Sequence, residues 1–399
     1  MVAIADVAQR QAATRSKRLA VRLAVASALA GANAAVVYAT GAILGAAMAP
    51  DPGLATVPLT VFVVGMAFGT LPVGWLARRY GRRVALVTGA ASGAACGLIA
   101  SLASYVWSFP LLCVAVFFGG FYAAASQSYR FAATDGAPGH LQPKLISWVM
   151  IGGIFAAFIG PQLVQWTADI WPQRLFAATY LGQAAVAVVA MAVLSGVPPQ
   201  PASEAAQGGG RPLGEIVAQP RFIVAALCGT VGYALMNLVM TAAPLAMKMC
   251  GLSLSDSTLG IQWHIVAMYL PSFFTGSLIV RFGARRMVAL GLGLEILAAI
   301  VDLAGLTVAH FWTGLILLGV GWNFAFVGAS TMVLQSHRPE ERTRVQSFND
   351  FIIFGTMAVA SFASGQLLAN GGWNAVNYVV FPAAAVGLAA LMWRARQSA

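Results

Sequence analysis

The sequence predicts an all-α membrane protein of twelve transmembrane helices, arranged as two pseudo-symmetric six-helix bundles. Of its 399 residues, 59% are hydrophobic and only 9% are charged, which is not the composition of a soluble domain of this length. Apolar segments of roughly 20 residues recur along the whole chain, and each is long enough as a helix to cross about 30 Å of hydrocarbon. A repeated motif, described below, divides these segments into two sets of six.

Twelve apolar segments follow one another with short polar or Pro/Gly-containing breaks between them. The first runs from about Leu23 to Ala49. It is too long for a removable signal peptide, so we expect it to remain as the first span. The twelve segments are centred near Val36, Ala67, Ala94, Ala123, Phe155, Val186, Met236, Ala267, Leu297, Phe324, Val359 and Val386.

The positions of the basic residues indicate the orientation of the chain. If the amino terminus is cytoplasmic, 21 of the 23 Lys and Arg residues lie on the cytoplasmic side, and only Arg174 and Lys248 lie outside. This is the positive-inside pattern. We therefore expect a multi-pass protein of the cell inner membrane with both termini in the cytoplasm. The net charge of +11 then indicates contact with the anionic lipid of the bilayer and not with nucleic acid.

A short motif occurs once in each half of the chain. "GWLARRYGRR" follows the second apolar segment, and "GSLIVRFGARR" follows the eighth. The repeat implies two halves, and a substrate site is then expected at the midplane between them. At a constant offset of 202, the matching residues are Gly74 with Gly276, Arg79 with Arg281, and Gly81 with Gly283.

The stretch between the halves, residues 195–215, is rich in Pro, Gly, Ala and Ser and has no spanning pattern. Such a composition is typical of a flexible linker. The predicted organisation is a cytoplasmic tail over residues 1–22, a bundle over 23–197, a linker over 198–220, a second bundle over 221–394 and a tail over 395–399.

With twelve segments, a central linker and this motif, the chain resembles the major facilitator superfamily of secondary transporters over essentially its full length. The loop motif of that family reads G-x-x-x-D-R-x-G-R-R. The resemblance implies the fold of that family, transport by alternating access, and a cytoplasmic gate held by charge contacts of the motif. The residues that fit the motif are Gly74, Arg79, Gly81, Arg82 and Arg83.

The chain departs from the family motif at its fifth position, where Arg78 replaces the acid. In the resembled family that acid faces the start of the eleventh helix, where an arginine would be repelled. We therefore predict an ion pair between Arg78 and Asp350, with Asp135 as a partner for Arg79 or Arg82. The alternative is that these arginines contact lipid phosphate and only enforce the topology.

Aromatic and amide side chains predominate in the segments expected to line the cavity. They suit an uncharged, planar or amphipathic organic solute that is held by stacking and a few hydrogen bonds. Packing within the bilayer is the alternative for each of them. The candidate substrate-binding residues are Tyr38, Phe121, Tyr122, Gln127, Asn237, Thr241, Gln262, Trp263, Trp322 and Asn323.

Few ionisable residues lie at membrane depth. His264 and Glu295 are the candidates for proton coupling, because an imidazole titrates near neutral pH and a buried acid is often part of a proton path. Asp302 follows Glu295 on the same helix face. A structural polar contact is the alternative to a coupling role.

The sequence contains no nucleotide-binding loop, no metal-ligand spacing and no nucleophile constellation, so we expect no enzyme activity, no cofactor and no metal. The expected partners are a small-molecule substrate, the lipid bilayer and protons, and we expect a monomer. The predicted function is secondary transport of a small organic solute, with uptake of an uncharged aromatic or vitamin-like compound such as riboflavin preferred. Proton-coupled efflux of hydrophobic drugs and a transporter-like ligand sensor are the alternatives.

Overall fold

The structure is a computed structural model, and it describes residues 2–133, 142–199, 211–338 and 341–397. These ranges are helical apart from short turns, and one 3-10 helix occupies Pro52–Leu54. Their α-helices are α1 (Val2–Met48), α2 (Val57–Tyr80), α3 (Arg82–Val106), α4 (Phe109–Gln127), α5 (Tyr129–Ala132), α6 (Gln142–Thr167), α7 (Ala177–Ser195), α8 (Leu213–Val217), α9 (Pro220–Met249), α10 (Leu254–Tyr269), α11 (Ser272–Phe282), α12 (Ala284–Ala304), α13 (Val308–Leu334), α14 (Arg342–Tyr378) and α15 (Val380–Gln397).

Ten stretches of the described chain are long and apolar enough to span a membrane, and the bent pair α10 and α11 makes eleven. The last stretch, Phe348–Trp393, has 46 residues. At 1.5 Å per residue it would measure about 69 Å, more than twice the hydrocarbon thickness. It is broken at Gly372, whose φ of 67° and ψ of −168° are not helical. Counting this stretch as two spans gives the twelve that the sequence predicts.

The chain divides into two compact units. The first is drawn from Met1–Val37 and Phe68–Ala205, and the second from Tyr38–Ala67 and Ala206–Ala399. The carboxyl end of α1, the amino end of α2 and the loop between them therefore belong to the second unit. The limits of tails, linker and bundles stay predictions, and residues 200–210 of the predicted linker lie outside the described residues.

Small residues hold the helices of the first unit together. On α3, Gly89, Gly93 and Gly97 recur every four residues and so share one face. A methyl group added at Gly89 would lie 2.2 Å from Ala125 of α4, and one at Gly97 would lie 2.5 Å from the backbone of Ala184 on α7. These glycines let α3 approach both neighbours at backbone distance.

The second unit contains a similar close contact between α12 and α13. A methyl group added at Gly291 would lie 2.4 Å from the nitrogen of Ala325, and one at Gly314 would lie 2.1 Å from Oδ1 of Asp302. The two helices are antiparallel neighbours in tight register. This contact buries both acids of α12 completely or nearly so, with Glu295 at 0% and Asp302 at 1% exposure.

The two copies of the repeated motif adopt the same turn. Gly81 separates α2 from α3 with φ 86° and ψ 159°, and Gly283 separates α11 from α12 with φ 86° and ψ 145°. Side chains with a Cβ rarely adopt this positive φ, which explains a glycine at both positions. The conformation of the backbone is therefore repeated together with the sequence.

A buried carboxylate binds Arg211 of the predicted linker. Glu341 is 1% exposed and accepts from Nε and Nη2 of Arg211 at 2.9 and 2.8 Å. It also accepts from the backbone N–H groups of Arg211 and Arg338, both at 2.9 Å. These donors stabilise the charged form, so they hold the pKa of Glu341 well below its usual range.

We expect Glu341→Gln to lower the thermal stability of the purified protein at pH 7. Because folding lowers the pKa of Glu341, its stabilising contribution is complete above the ordinary glutamate value of about 4.3, declines below it and is lost only as the pH falls through the folded-state pKa. Unfolding temperatures at pH 7 and pH 3 measure this. The exposed Glu215 supplies the control Glu215→Gln, and equal effects of the two variants at pH 7 would contradict the prediction.

Candidate functional site

Five aromatic side chains from four helices form a cluster within the second unit. Trp322 and Phe326, one turn apart on α13, stack with ring centroids 5.2 Å apart and an angle of 10° between their planes. Tyr233 of α9 meets these two rings edge-on at 5.2 and 5.0 Å. Tyr269 of α10 lies 6.4 Å from Trp322, and Phe354 of α14 lies 6.3 Å from Tyr233. We call these five residues the aromatic cluster.

The aromatic cluster is only partly buried. Trp322 is 6% exposed and Phe354 is 8% exposed, whereas Tyr233, Tyr269 and Phe326 are half-buried. Offset stacking and edge-to-face contacts are the geometries that aromatic rings prefer. A flat aromatic solute prefers the same geometries of contact with aromatic side chains.

Hydrogen-bonding side chains on α9 continue the face that carries Tyr233. Asn237 and Thr241 follow it at intervals of four residues and so lie on the same side of the helix. The Asn237 side chain is fully buried, where its Oδ1 accepts from the hydroxyl of Tyr38 at 3.2 Å and its Nδ2 donates to the carbonyl of Met357 at 3.2 Å. Tyr38, Asn237 and Thr241 were all predicted, and the structure brings Tyr38 and Asn237 into contact.

Two buried polar groups of the predicted residues on α9 and α13 find no hydrogen-bond partner in the described part of the chain. They are the indole N–H of Trp322 and the hydroxyl of Thr241. An unpaired buried donor costs free energy, so such groups often indicate a ligand or an ordered water. Gln262 of α10 is also buried, at 5% exposure.

Asn323 is engaged by protein partners on both sides of its amide. Its Nδ2 donates to the carbonyl of Met268 and to the hydroxyl of Ser272, both at 2.7 Å. Its Oδ1 accepts from the hydroxyl of Thr275 at 2.6 Å. All three partners lie near the junction of α10 and α11, so the amide contacts both helices.

The remaining predicted substrate residues are on α4 and α10. On α4 in the first unit, Tyr122 is buried against Gly93 of α3, Phe121 packs on the buried Val73, Ala85 and Ala125, and Gln127 is exposed. On α10, Trp263 is 40% exposed. The role of these four residues in binding stays a prediction.

The three ionisable residues at membrane depth are all buried. His264 donates from Nδ1 to the carbonyl of Leu315 at 2.7 Å, which leaves its Nε2 without a partner among the described residues. Both carboxyl oxygens of Glu295 and of Asp302 lack a hydrogen-bond partner there as well. A methyl group added at Gly232 of α9 would lie 3.5 Å from Oε1 of Glu295, so α9, α12 and α13 enclose this side chain.

The structure does not test the predicted gate pair. The side chain of Arg78 and the whole of Asp135 lie outside the described residues. Asp350 is half-buried on α14 and lies 3.5 Å from Nδ2 of Asn349. The other motif residues are described: Gly74 and Arg82 are half-buried, Gly81 is buried, and Arg79, Arg83, Gly276, Arg281 and Gly283 are exposed.

Sequence reasoning missed four of the five rings of the aromatic cluster, namely Tyr233, Tyr269, Phe326 and Phe354. One available signal was helical spacing. Phe326 follows Trp322 by four residues, and Tyr233 precedes Asn237 by four, so each shares a helix face with a predicted residue. Within the described ranges, no group of three His, Cys, Asp or Glu residues is arranged to hold a metal ion.

Comparison with known proteins agrees with the fold and with the predicted family. A family model described as Major Facilitator Superfamily matches residues 23–270 and 263–399. The chain is 47% identical over 385 residues to Riboflavin transporter RfnT of Brucella anthropi, covering 96% of this chain and 97% of that protein. It is 27% identical to Uncharacterized MFS-type transporter YddS of Bacillus subtilis, covering 87% and 84% of the two chains.

Among solved structures, the nucleoside transporter NupG matches with a TM-score of 0.74 at 14% identity, covering 94% of this chain and 98% of that one. This likeness is one of fold. It confirms the predicted all-helical fold.

Proposed function

The chain belongs to the Major Facilitator Superfamily of secondary transporters, and we propose that the solute it carries is riboflavin or a closely related uncharged flavin. The observation that carries the proposal is the 47% identity to a riboflavin transporter over nearly the full length of both chains. The proposed direction is uptake across the inner membrane of a bacterium, with both termini in the cytoplasm.

The aromatic cluster supports a flavin as the solute. A flavin ring system is flat, aromatic and uncharged, and stacking on rings such as Trp322 and Phe326 would remove it from water. The ribityl chain carries hydroxyl groups, which suit the amide of Asn237 and the unpaired groups of Thr241 and Trp322. None of these side chains is charged, so they provide no counter-ion for a phosphate group.

Uptake into proteoliposomes tests this proposal. We expect saturable uptake of labelled riboflavin that unlabelled riboflavin inhibits and flavin mononucleotide does not, because the phosphate would enter an uncharged site. Liposomes without protein are the control for passive entry. Absence of riboflavin uptake together with transport of a hydrophobic cation would replace the proposal by drug efflux, and saturable binding without any flux would replace it by a ligand sensor.

A further inference from the structure

The eighth span is broken in its carboxyl-terminal half. Its two parts, α10 and α11, meet at an angle of 42° across Leu270 and Pro271. A proline has no N–H to donate within a helix, and its ring displaces the preceding turn. The backbone at this break therefore needs hydrogen-bond partners from elsewhere.

Asn323 of the neighbouring helix α13 supplies such partners. Its two amide hydrogens reach the last turn of α10, at the carbonyl of Met268, and the first residue of α11, at the hydroxyl of Ser272. Its Oδ1 lies 2.6 Å from Oγ1 of Thr275. The same Oγ1 lies 2.7 Å from the carbonyl oxygen of Pro271, so one hydroxyl group donates towards two acceptors. One buried amide thus connects both sides of the break to α13.

Two rings of the aromatic cluster are direct chain neighbours of this contact. Trp322 precedes Asn323 on α13, and Tyr269 follows Met268 at the end of α10. The separation of the Tyr269 and Trp322 rings, 6.4 Å, consequently depends on how α10 is held against α13 at the break.

We propose that Asn323 is a positioning residue, which fixes the bend of the eighth span and thereby sets Tyr269 against Trp322 for stacking with the solute. The amide acts through the two rings and does not itself contact the solute. The role in binding rests on the proposed function, whereas the role in holding the bend does not.

The bend is tested without any solute. Spin labels are placed at Ser255→Cys on α10 and Val280→Cys on α11, both exposed positions, in a background with Cys113→Ala and Cys250→Ser. Pulsed EPR in lipid nanodiscs gives the distance between the labels. We expect Asn323→Ala and Thr275→Val to shift and broaden the distance distribution relative to the parent, and an unchanged distribution in both variants overturns the proposal.

Ligand binding distinguishes positioning from direct contact. Lumiflavin has the isoalloxazine ring of riboflavin with a methyl group in place of the ribityl chain. If Asn323 positions the rings, Asn323→Ala, Thr275→Val and Ser272→Ala weaken the binding of both ligands by the same factor, roughly three- to tenfold for the two hydroxyl variants. Loss of riboflavin affinity alone, in Asn323→Ala alone, shows direct contact with the ribityl chain and overturns the proposal.

A matched control and the unmutated protein complete the experiment. Thr331 is a half-buried residue of the same helix α13, and its hydroxyl donates to the carbonyl of Val327 one turn earlier in that helix. Thr331→Val should therefore leave both the label distance and the affinities unchanged. If the unmutated protein binds neither flavin, the proposed function fails, and the EPR distances still decide whether Asn323 holds the bend. The mild variants Thr275→Val and Ser272→Ala keep the test open if Asn323→Ala does not fold.

Discussion

Replacing Trp322 by alanine is expected to weaken riboflavin binding by about 10- to 100-fold. Stacking of a heteroaromatic base on an aromatic side chain contributes roughly 1–3 kcal/mol, and about 1.4 kcal/mol corresponds to a factor of ten. Trp322 is central in the aromatic cluster, because it contacts Phe326, Tyr233 and Tyr269. Its removal would therefore take away one stacking surface and loosen the remaining rings.

Quenching of flavin fluorescence on titration with purified protein measures this affinity. Truncation of a buried tryptophan also costs stability, so Trp322→Phe is the second variant: it keeps a ring but lacks the buried N–H that has no partner among the described residues. We expect it to lose affinity only several-fold. Trp166→Ala is the matched control, since Trp166 is 75% exposed and belongs to no predicted site. An equal loss in Trp166→Ala and Trp322→Ala would argue against a specific role for the cluster.

Replacing Glu295 by glutamine is expected to abolish accumulation of the solute against its gradient while exchange of labelled for unlabelled solute continues. An ionised carboxylate at this position would be fully buried and without a hydrogen-bond partner among the described residues, and such burial is costly. A proton bound and released there during the transport cycle would couple transport to the proton gradient. Glutamine keeps the size of the side chain and removes the titration.

The assays are accumulation and exchange in proteoliposomes with an imposed pH gradient. Asp302→Asn is the matched control, because Asp302 is on the same helix α12, is equally buried and also lacks a described partner. We expect it to retain accumulation, since it lies near the end of α12 and not at its middle. His264→Gln tests the second candidate. Unchanged pH-dependent accumulation in both Glu295→Gln and His264→Gln would remove these residues from the coupling mechanism.

The candidate site was only partly predictable. The sequence predicts Trp322, Asn237, Thr241 and Tyr38 as aromatic or polar groups at membrane depth; Trp322 belongs to the aromatic cluster, and Asn237, which Tyr38 contacts, shares a face of α9 with Tyr233 and Thr241. The sequence predicts Asn323 for the same reason, yet its partners are a backbone carbonyl and two hydroxyl groups at a helix break. A sequence shows that a buried amide needs hydrogen bonds, but it does not show whether a solute or the protein provides them.

Fold class, number of spans, repeat and family could all be predicted from the sequence. These properties follow from composition, from apolar segment length and from a motif with glycines at fixed positions, each of which is read from short stretches of the chain. Which side chains meet becomes visible only in the folded protein. The edge-to-face contact of Trp322 with Tyr233, the enclosure of Glu295 by α9 and α13, and the hydrogen bonds of Asn323 to α10 and α11 all join residues that lie far apart in sequence. Such contacts depend on how helices pack, because many arrangements of apolar helices satisfy the same hydropathy pattern.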